Sequence, residues 1–357
     1  MQKGQRPTIK EIAERAGTSI GTVDRALSNR SGISPATKQR VLQIAAELGY
    51  TPNKLASALG RKRTLRIGVV SAENPSGFYS YIEQGVRRAA EDLADYSVEA
   101  ELLLTPVLSP QEQKTLLENL DVSRFDGLAV NSGGAPSTPL INRFVQSGLP
   151  VITFNSDAPD SERLFFIGTD SRQAGQLGGE MMGKFLNSTG SVAVIGNFAG
   201  TNTFIDRFGG FCEVVQSLYP GIAIVPCAEC HSYSEKAFEI ITALLQQNPA
   251  INGIFAAGYS ATVGAMQALK AANRPDVRLI GYDLSTATRQ GLEEGWCTAI
   301  LYQDPFEQGY QAVRLLVRHL LEGWLPPQKK LLIDPKAIFR YNMANYTKSR
   351  FAQNPFR

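Results

Sequence analysis

Apolar residues recur three and four apart through the first fifty positions, the spacing of short helices packed on one face. Ile9, Ile12, Ala13 and Ala16 share a face of a helix over 8–17, with Thr8 as its cap, Glu11 as capping-box partner and Gly17 as the closing residue. Residues 18–21 supply hydroxyl caps for a second helix over 22–27, in which Val23, Ala26 and Leu27 face inward. A third begins at Ser34-Pro35, a cap followed by proline in the first helical position, and runs through Val41, Leu42, Ile44, Ala45 and Leu48 to Gly49. After Pro52 the segment up to Thr64 predicts one short helix, too small to be stable alone.

From Leu65 the pattern changes. Short apolar runs alternate with amphipathic stretches, the βαβ order of a doubly wound parallel sheet. A strand at 67–70 precedes a helix around 81–93; a helix at 110–120 precedes a strand at 127–130, and another strand follows at 150–154. After a helix at 172–188 a second series begins, with strands at 191–195, 223–225, 253–256 and 278–281 separated by helices at 206–218, 234–247 and 261–271. Two such series predict two similar lobes. Ligands of open α/β sheets bind beyond the carboxyl ends of the strands. The residues there include 74–79, Asn131-Ser132, Asn155-Ser156-Asp157, Asn197-Phe198, Gly258-Tyr259-Ser260 and Tyr282-Asp283. Amides and carboxylates of this kind bond hydroxyls while aromatic rings cover C–H faces, so the set suits a hydroxylated ligand.

A length of 357 residues exceeds one ordinary domain. Of the 36 Lys and Arg, 13 fall in residues 1–66, against 4 of the 33 Asp and Glu, so the net charge of +3 hides a basic head on an acidic body. That asymmetry points to a polyanion-binding module joined to a body with another task. Cys212, Cys227, Cys230 and Cys297 are too few for a disulfide framework and fit a reducing compartment. No apolar run reaches the roughly 18 residues of a membrane span, and the opening MQKGQRPTIK lacks a secretory apolar stretch, so the expected location is cytoplasmic.

Two helices joined by a short turn, the second short and basic, describe a helix-turn-helix whose second helix enters the DNA major groove by its N-terminal end. The run beginning at Thr8 (TIKEIA), the turn into Thr22-Val23-x-Arg25, the segment from Glu47 to Asn53 (ELGYTPN) and that from Arg63 to Val69 (RTLRIGV) resemble the lactose-repressor family collinearly over some 60 residues. The resemblance implies a helix-turn-helix domain over 1–50, with Ile20, Gly21 and Arg25 reading bases and Ser19, Thr22 and Ser34 on phosphates; Thr8, Asn53 and Ala56 join this DNA-binding set. It further implies a hinge helix within 51–64 that orders on operator DNA, where Leu59 wedges into the minor groove. Ile20-Gly21 offers almost no side-chain hydrogen bonding, so direct readout rests on Arg25 toward a guanine and on apolar contact with a thymine methyl. Asp24 stands where the family usually has serine.

Residues 65–345 are similar to the type I periplasmic sugar-binding fold, in particular its ribose-binding branch. Residues 150–157 (PVITFNSD), 207–211 (RFGGF), Gly281-Tyr282-Asp283 and Gln303-Asp304-Pro305 carry the match. The implied fold class is α/β: a small all-α head plus a two-lobed, doubly wound parallel-sheet effector domain. Lobe 1 is expected over about 65–170 plus 300–328, lobe 2 over about 171–299 plus 329–345, and a C-terminal tail over 346–357. Family ligand contacts transfer to Phe78, Tyr79, Asn155, Arg207, Asp283 and Gln303, with Asp157 as a near neighbour. Two departures stand out: Gly258-Tyr259 replaces a usual acid, and Asn155 replaces another.

Other motifs lack their context. Residues 17–21 match a G-x-S-x-G nucleophile elbow, which needs a strand before it and here follows a helix. Residues 227–231 match C-x-x-C-H, a haem-attachment pattern with nothing else in support, and His319 is the one other histidine, too little for a metal site. No G-x-G-x-x-G or Walker pattern occurs, so no cofactor is expected. A sugar-binding α/β enzyme with a DNA-binding head would need a nucleophile and base, and both histidines lie outside the candidate strand ends. The expectation is a non-enzymatic, ligand-responsive repressor that binds a near-palindromic double-stranded operator as a homodimer and senses a sugar, polyol or derivative.

Overall fold

The computed structural model describes residues 8–27, 32–48, 64–73, 77–106, 109–225 and 227–346. The chain divides into two compact units, Met1–Lys62 and Arg63–Arg357.

In the head, helices Ile9–Ala16, Ile20–Leu27 and Pro35–Glu47 pack around Ile12, Val23 and Val41, each fully buried. Hydroxyl caps start them. Thr8 Oγ1 accepts from the Glu11 amide at 3.2 Å, Ser19 Oγ from the Thr22 amide at 3.2 Å, and Ser34 Oγ from the Thr37 amide at 3.1 Å. Gly17 closes the first helix in the left-handed conformation at φ 62°. Because Ser19 itself is the cap, the second helix starts at Ile20, two residues before the expected position. The hinge expected over 51–64, with Asn53, Ala56 and Leu59, lies outside the described residues apart from Thr64.

The body holds two sheets. The first runs β12 (Lys330–Ile333), β5 (Phe166–Thr169), β4 (Val151–Phe154), β3 (Gly127–Val130), β1 (Leu65–Ala72), β2 (Val98–Thr105). Its pairings are all parallel, and Leu65 to Ala72 stand opposite Val98 to Thr105 in register. The second runs β13 (Lys336–Ile338), β11 (Ala299–Tyr302), β10 (Arg278–Tyr282), β9 (Gly253–Ala256), β6 (Thr189–Gly196), β7 (Gly221–Ile224), with the short β8 (Ala228–Glu229) also on β6. Here only β11 with β13 is antiparallel.

This topology shifts the expected lobe boundaries. Residues 299–302 belong to the second sheet because β11 pairs with β10 and β13, whereas 330–333 belong to the first because β12 pairs with β5. Pairing rather than chain position decides, so the chain crosses between lobes near 170–171, 303–305 and 334–335. Tyr346, expected in the tail, lies in the turn Met343–Tyr346, where its carbonyl accepts from Arg289 Nη2 at 2.8 Å; the rest of that tail falls outside the described residues.

Helices Ser171–Phe185 and Asn202–Leu218 pack with almost no space between their backbones. A Cβ at Gly175 would lie 2.0 Å from the Arg207 carbonyl oxygen, and one at Gly210 would lie 2.1 Å from that of Arg172. Glycine at these two points is what allows Arg207 its position.

Candidate functional site

On the head, the expected base readers stand on one surface. Ile20 is 53% exposed, and Gly21 and Arg25 are also exposed. Ser19 Oγ and Thr22 Oγ1 lie 3.0 Å apart, as Ser34 Oγ and Thr37 Oγ1 do at 2.8 Å, so hydroxyls cluster at two helix N-termini. Those termini carry free N–H groups and a positive dipole end, the usual setting for phosphate oxygens. Thr8, also exposed, adds a third capped terminus.

In the body, a cleft with about 820 Å³ of space including its open mouth is lined by Phe78, Tyr79, Asn155, Arg207, Asp283 and Gln303. Six of the seven expected ligand residues thus meet there. Strand ends bring them together: Asn155 follows β4 and Asp283 follows β10, both in left-handed backbone (φ 59° and 68°), a conformation Asn and Asp tolerate. Gln303 follows β11 at a lobe crossing, and Arg207 comes from helix Asn202–Leu218.

Asp157 is the exception. Its carboxylate is held by Arg163, with Nε to Oδ1 and Nη2 to Oδ2 both at 2.5 Å, and Oδ1 also accepts from Thr153 Oγ1 at 2.7 Å and from the Ala158 amide at 2.8 Å. A carboxylate engaged by four hydrogen bonds anchors its loop, and Asp157 is absent from the lining of the cleft. Its main-chain carbonyl accepts from Asn202 Nδ2 at 3.0 Å, tying the first lobe to the second.

Arg207, Gln303 and Asp283 form a buried chain. Arg207 Nη2 donates to Gln303 Oε1, Gln303 Nε2 donates to Asp283 Oδ1 at 2.8 Å, and Arg207 Nη1 donates to the Ala257 carbonyl at 3.0 Å. The guanidinium carbon lies 4.1 Å from the Tyr282 ring centroid, and Arg207 Nε is buried with no hydrogen-bond partner among the described residues. Burial raises the Asp283 carboxyl to about 6, opposed by Arg207 and by the Gln303 hydrogen bond. Burial likewise pushes the Tyr79 hydroxyl up, reinforced by the charge of Asp283. The cleft thus presents a positive donor and a negative acceptor that glutamine keeps apart, between apolar rings.

Asn197, Phe198, Gly258, Tyr259 and Ser260, strand-end candidates of the sequence outside the expected contact set, also line the cleft, as does Glu73, which follows β1; Thr201, Thr203, Phe204 and Ser232 lie at a loop or helix start that no periodicity marks and were not foreseen. Tyr259 enters from the second lobe and packs against the apolar cluster of the first. His231 does follow a strand, the short β8, contrary to expectation; its ring lies 5.4 Å from that of Phe198 and its Nδ1 3.9 Å from Glu229. Cys230 is buried, with its thiol raised to about 11, and donates to Asn197 Oδ1 at 3.5 Å. Among the described residues no group of three or more His, Cys, Asp or Glu is placed to hold a metal, and no helix is long and apolar enough to cross a membrane.

A helix-turn-helix head carried in one chain with a two-lobed α/β body around a polar cleft defines a ligand-responsive DNA-binding regulator. Residues 8–53 match the bacterial regulatory proteins of the lacI family and residues 67–323 the periplasmic binding protein domain, and the chain belongs to that regulator family with that effector body. It is 29% identical over 280 residues to the maltose regulon regulatory protein MalI of Escherichia coli (strain K12), covering 77% of this chain and 78% of the relative. It is 25% identical over 279 residues to the ribose operon repressor of Halalkalibacterium halodurans, covering 77% and 80%. A solute-binding protein from Burkholderia graminis in complex with D-arabinose superposes with a TM-score of 0.75 at 25% identity, over 81% of this chain and 99% of that one. A glucose-galactose binding protein from Geobacillus stearothermophilus shares the fold, with a TM-score of 0.73 at 24% identity over 79% and 99%.

Proposed function

We propose that the protein is a cytoplasmic, homodimeric repressor whose affinity for a near-palindromic operator is set by a sugar or polyol bound between the lobes of its body. The observation that carries the sensor half is the Arg207–Gln303–Asp283 chain in a cleft walled by Phe78 and Tyr79 from one lobe and Phe204 from the other. Fixed donors and acceptors between aromatic faces are what hydroxylated rings and chains require. The relatives named for ribose and maltose regulons, and the neighbour that holds D-arabinose, support that ligand class.

The reading half rests on Ser19, Ile20, Gly21, Thr22, Arg25 and Ser34, with Thr8 beside them and Asn53, Ala56 and Leu59 as the proposed hinge contacts. The mechanism is coupling: a sugar that prefers one angle between lobes shifts that equilibrium, and its effect on DNA affinity is reciprocal. The function is exercised by binding and not by turnover. Electrophoretic titration of operator fragments with and without D-ribose, D-arabinose and maltose tests this reading. A sugar-dependent shift in operator affinity is the expected result, and sugar-insensitive binding across such a panel overturns the sensor half. Leu59→Ala is expected to weaken operator binding while leaving salt-dependent nonspecific binding nearly intact; equal losses in both refute the wedge.

A further inference from the structure

Gln308, fully buried, is absent from the lining of the cleft yet touches the groups that form it. Its Nε2 donates to the Gln303 main-chain carbonyl at 2.8 Å and approaches Thr169 Oγ1 at 3.4 Å, while its Oε1 accepts from Asn155 Nδ2 at 3.1 Å. A main-chain carbonyl can only accept, so the contact with Gln303 fixes which end of the Gln308 amide is the NH2. The Thr169 hydroxyl agrees: its one proton goes to the same Gln303 carbonyl at 3.1 Å, leaving it an acceptor toward Gln308. With its oxygen facing Asn155, Gln308 requires a donor there. Asn155 must turn its NH2 inward, which leaves Oδ1 for the cleft. Among the described residues that oxygen has no hydrogen-bond partner.

We propose that Gln308 is a positioning residue that sets the polarity of the Asn155 contact, so that this point of the cleft reads a hydroxyl hydrogen on a bound sugar or polyol and disfavours a carboxylate or phosphate oxygen. The inference rests on the cleft being the effector site. Asp283, held through Gln303, supplies an acceptor from the other lobe, so acceptors face the ligand from both sides while Arg207 donates. It also accounts for asparagine at 155. An aspartate would set an oxygen against Gln308 Oε1 with no proton between them, and relief by flipping the Gln308 amide would break its bond to the Gln303 carbonyl.

The test is a double-mutant cycle on the full chain with Asn155→Asp and Gln308→Met, read by calorimetric titration with D-arabinose, D-tagatose and D-galactose. Asn155→Asp is expected to weaken binding about tenfold with Gln308 present and only about twofold in the Gln308→Met background. Equal losses in both backgrounds overturn the proposal. A readout free of any sugar accompanies it: the Asn155 side-chain NH2 signals in nitrogen-15 spectra, assigned by their loss in Asn155→Asp. In the wild-type chain they must exchange slowly with water, and Gln308→Met must make them exchange fast while other side-chain amides are unchanged. Fast exchange in the wild-type chain overturns the assignment without any variant, so the idea stays falsifiable if Gln308→Met does not fold. Should none of the three sugars bind, the sugar reading is weakened and the amide signals alone decide the role of Gln308.

Discussion

The head and the cleft solve the problem of presenting polar groups in opposite ways. On the head, the proposed reading residues Ile20, Gly21 and Arg25 stand exposed on one eight-residue helix, positioned by caps a few residues away. In the cleft, Asn155, Arg207, Asp283 and Gln303 are at most 8% exposed; the last three hold one another across sequence separations such as 96 residues for Arg207 and Gln303, and Asn155 is held by Gln308. A surface residue is changed with little effect on folding. A buried and mutually bonded set is not, because removing one partner strands the next. Function and stability are therefore separable on the head and inseparable in the cleft, and each experiment below challenges that contrast.

The largest effect belongs to Arg207→Ala. It removes the donor to Gln303 and to the Ala257 carbonyl and leaves Asp283 buried without a nearby positive charge. Breaking such an arrangement costs about 3–5 kcal/mol. Calorimetry should find sugar affinity lost by more than about a hundredfold, with a lowered melting temperature, while gel-shift affinity for operator DNA without sugar is unchanged. Retained sugar response would break the contrast at its strongest point.

Asp283 supplies the next effect, through pH. Its carboxyl is raised from 3.8 to about 6, chiefly by burial. The folded chain holds this proton more tightly than the unfolded chain, so the contribution of Asp283 to stability is full below pH 3.8 and is lost as the pH rises through about 6. Over the whole window that is about 3 kcal/mol. Melting curves of wild type and Asp283→Asn should therefore diverge between pH 4 and 7, the wild type losing ground to the variant. Sugar affinity of the wild type should move the other way, since the carboxylate is the better acceptor. Parallel melting curves would place Asp283 in a wetter site than the structure shows.

Gly175→Ala tests the cleft from behind. The added methyl would sit 2.0 Å from the Arg207 carbonyl oxygen and 2.9 Å from its Cα, so the helix carrying Arg207 must shift. Overpacking of this kind costs about 1–3 kcal/mol. Stability and sugar affinity are expected to fall together although no lining atom is altered, and a loss of stability with affinity intact would show that Arg207 tolerates the shift.

What the sequence disclosed follows the same division. The head was legible almost to the residue, because a cap, its partner and the buried face lie within one turn of each other. The second helix began early only because Ser19, one of several hydroxyls in the turn, is the one that accepts the Thr22 amide. The strands β3 and β9 were legible for a similar reason, as short apolar runs buried on both faces. Strand β2 was not, since an edge strand with four residues half-buried and Glu99 and Glu101 exposed carries a weaker pattern, and the sheet membership of β11 and β12 depends on partners more than a dozen residues away. Asp157 looked like a ligand residue because nothing in its neighbourhood says that Arg163 will claim it. Gln308 was invisible for the converse reason: its role is defined by Gln303, Thr169 and Asn155, which only the fold assembles.

The smallest effect is expected on the head, and it is the sharpest test of separability there. Ile20 is 53% exposed and packs on none of the buried face made by Ile12, Val23 and Val41. Ile20→Ala should leave the stability of the head within about 0.5 kcal/mol of wild type. If Ile20 covers a thymine methyl in the groove, the same change should weaken operator binding by about 1 kcal/mol, with the loss confined to operators that carry thymine at that step. Competition between the wild-type operator and one with that base pair replaced distinguishes the outcomes. A uniform loss across both sequences would mean that Ile20 supports the helix or its approach to the backbone, and the head would then share the coupling of contact and stability found in the cleft.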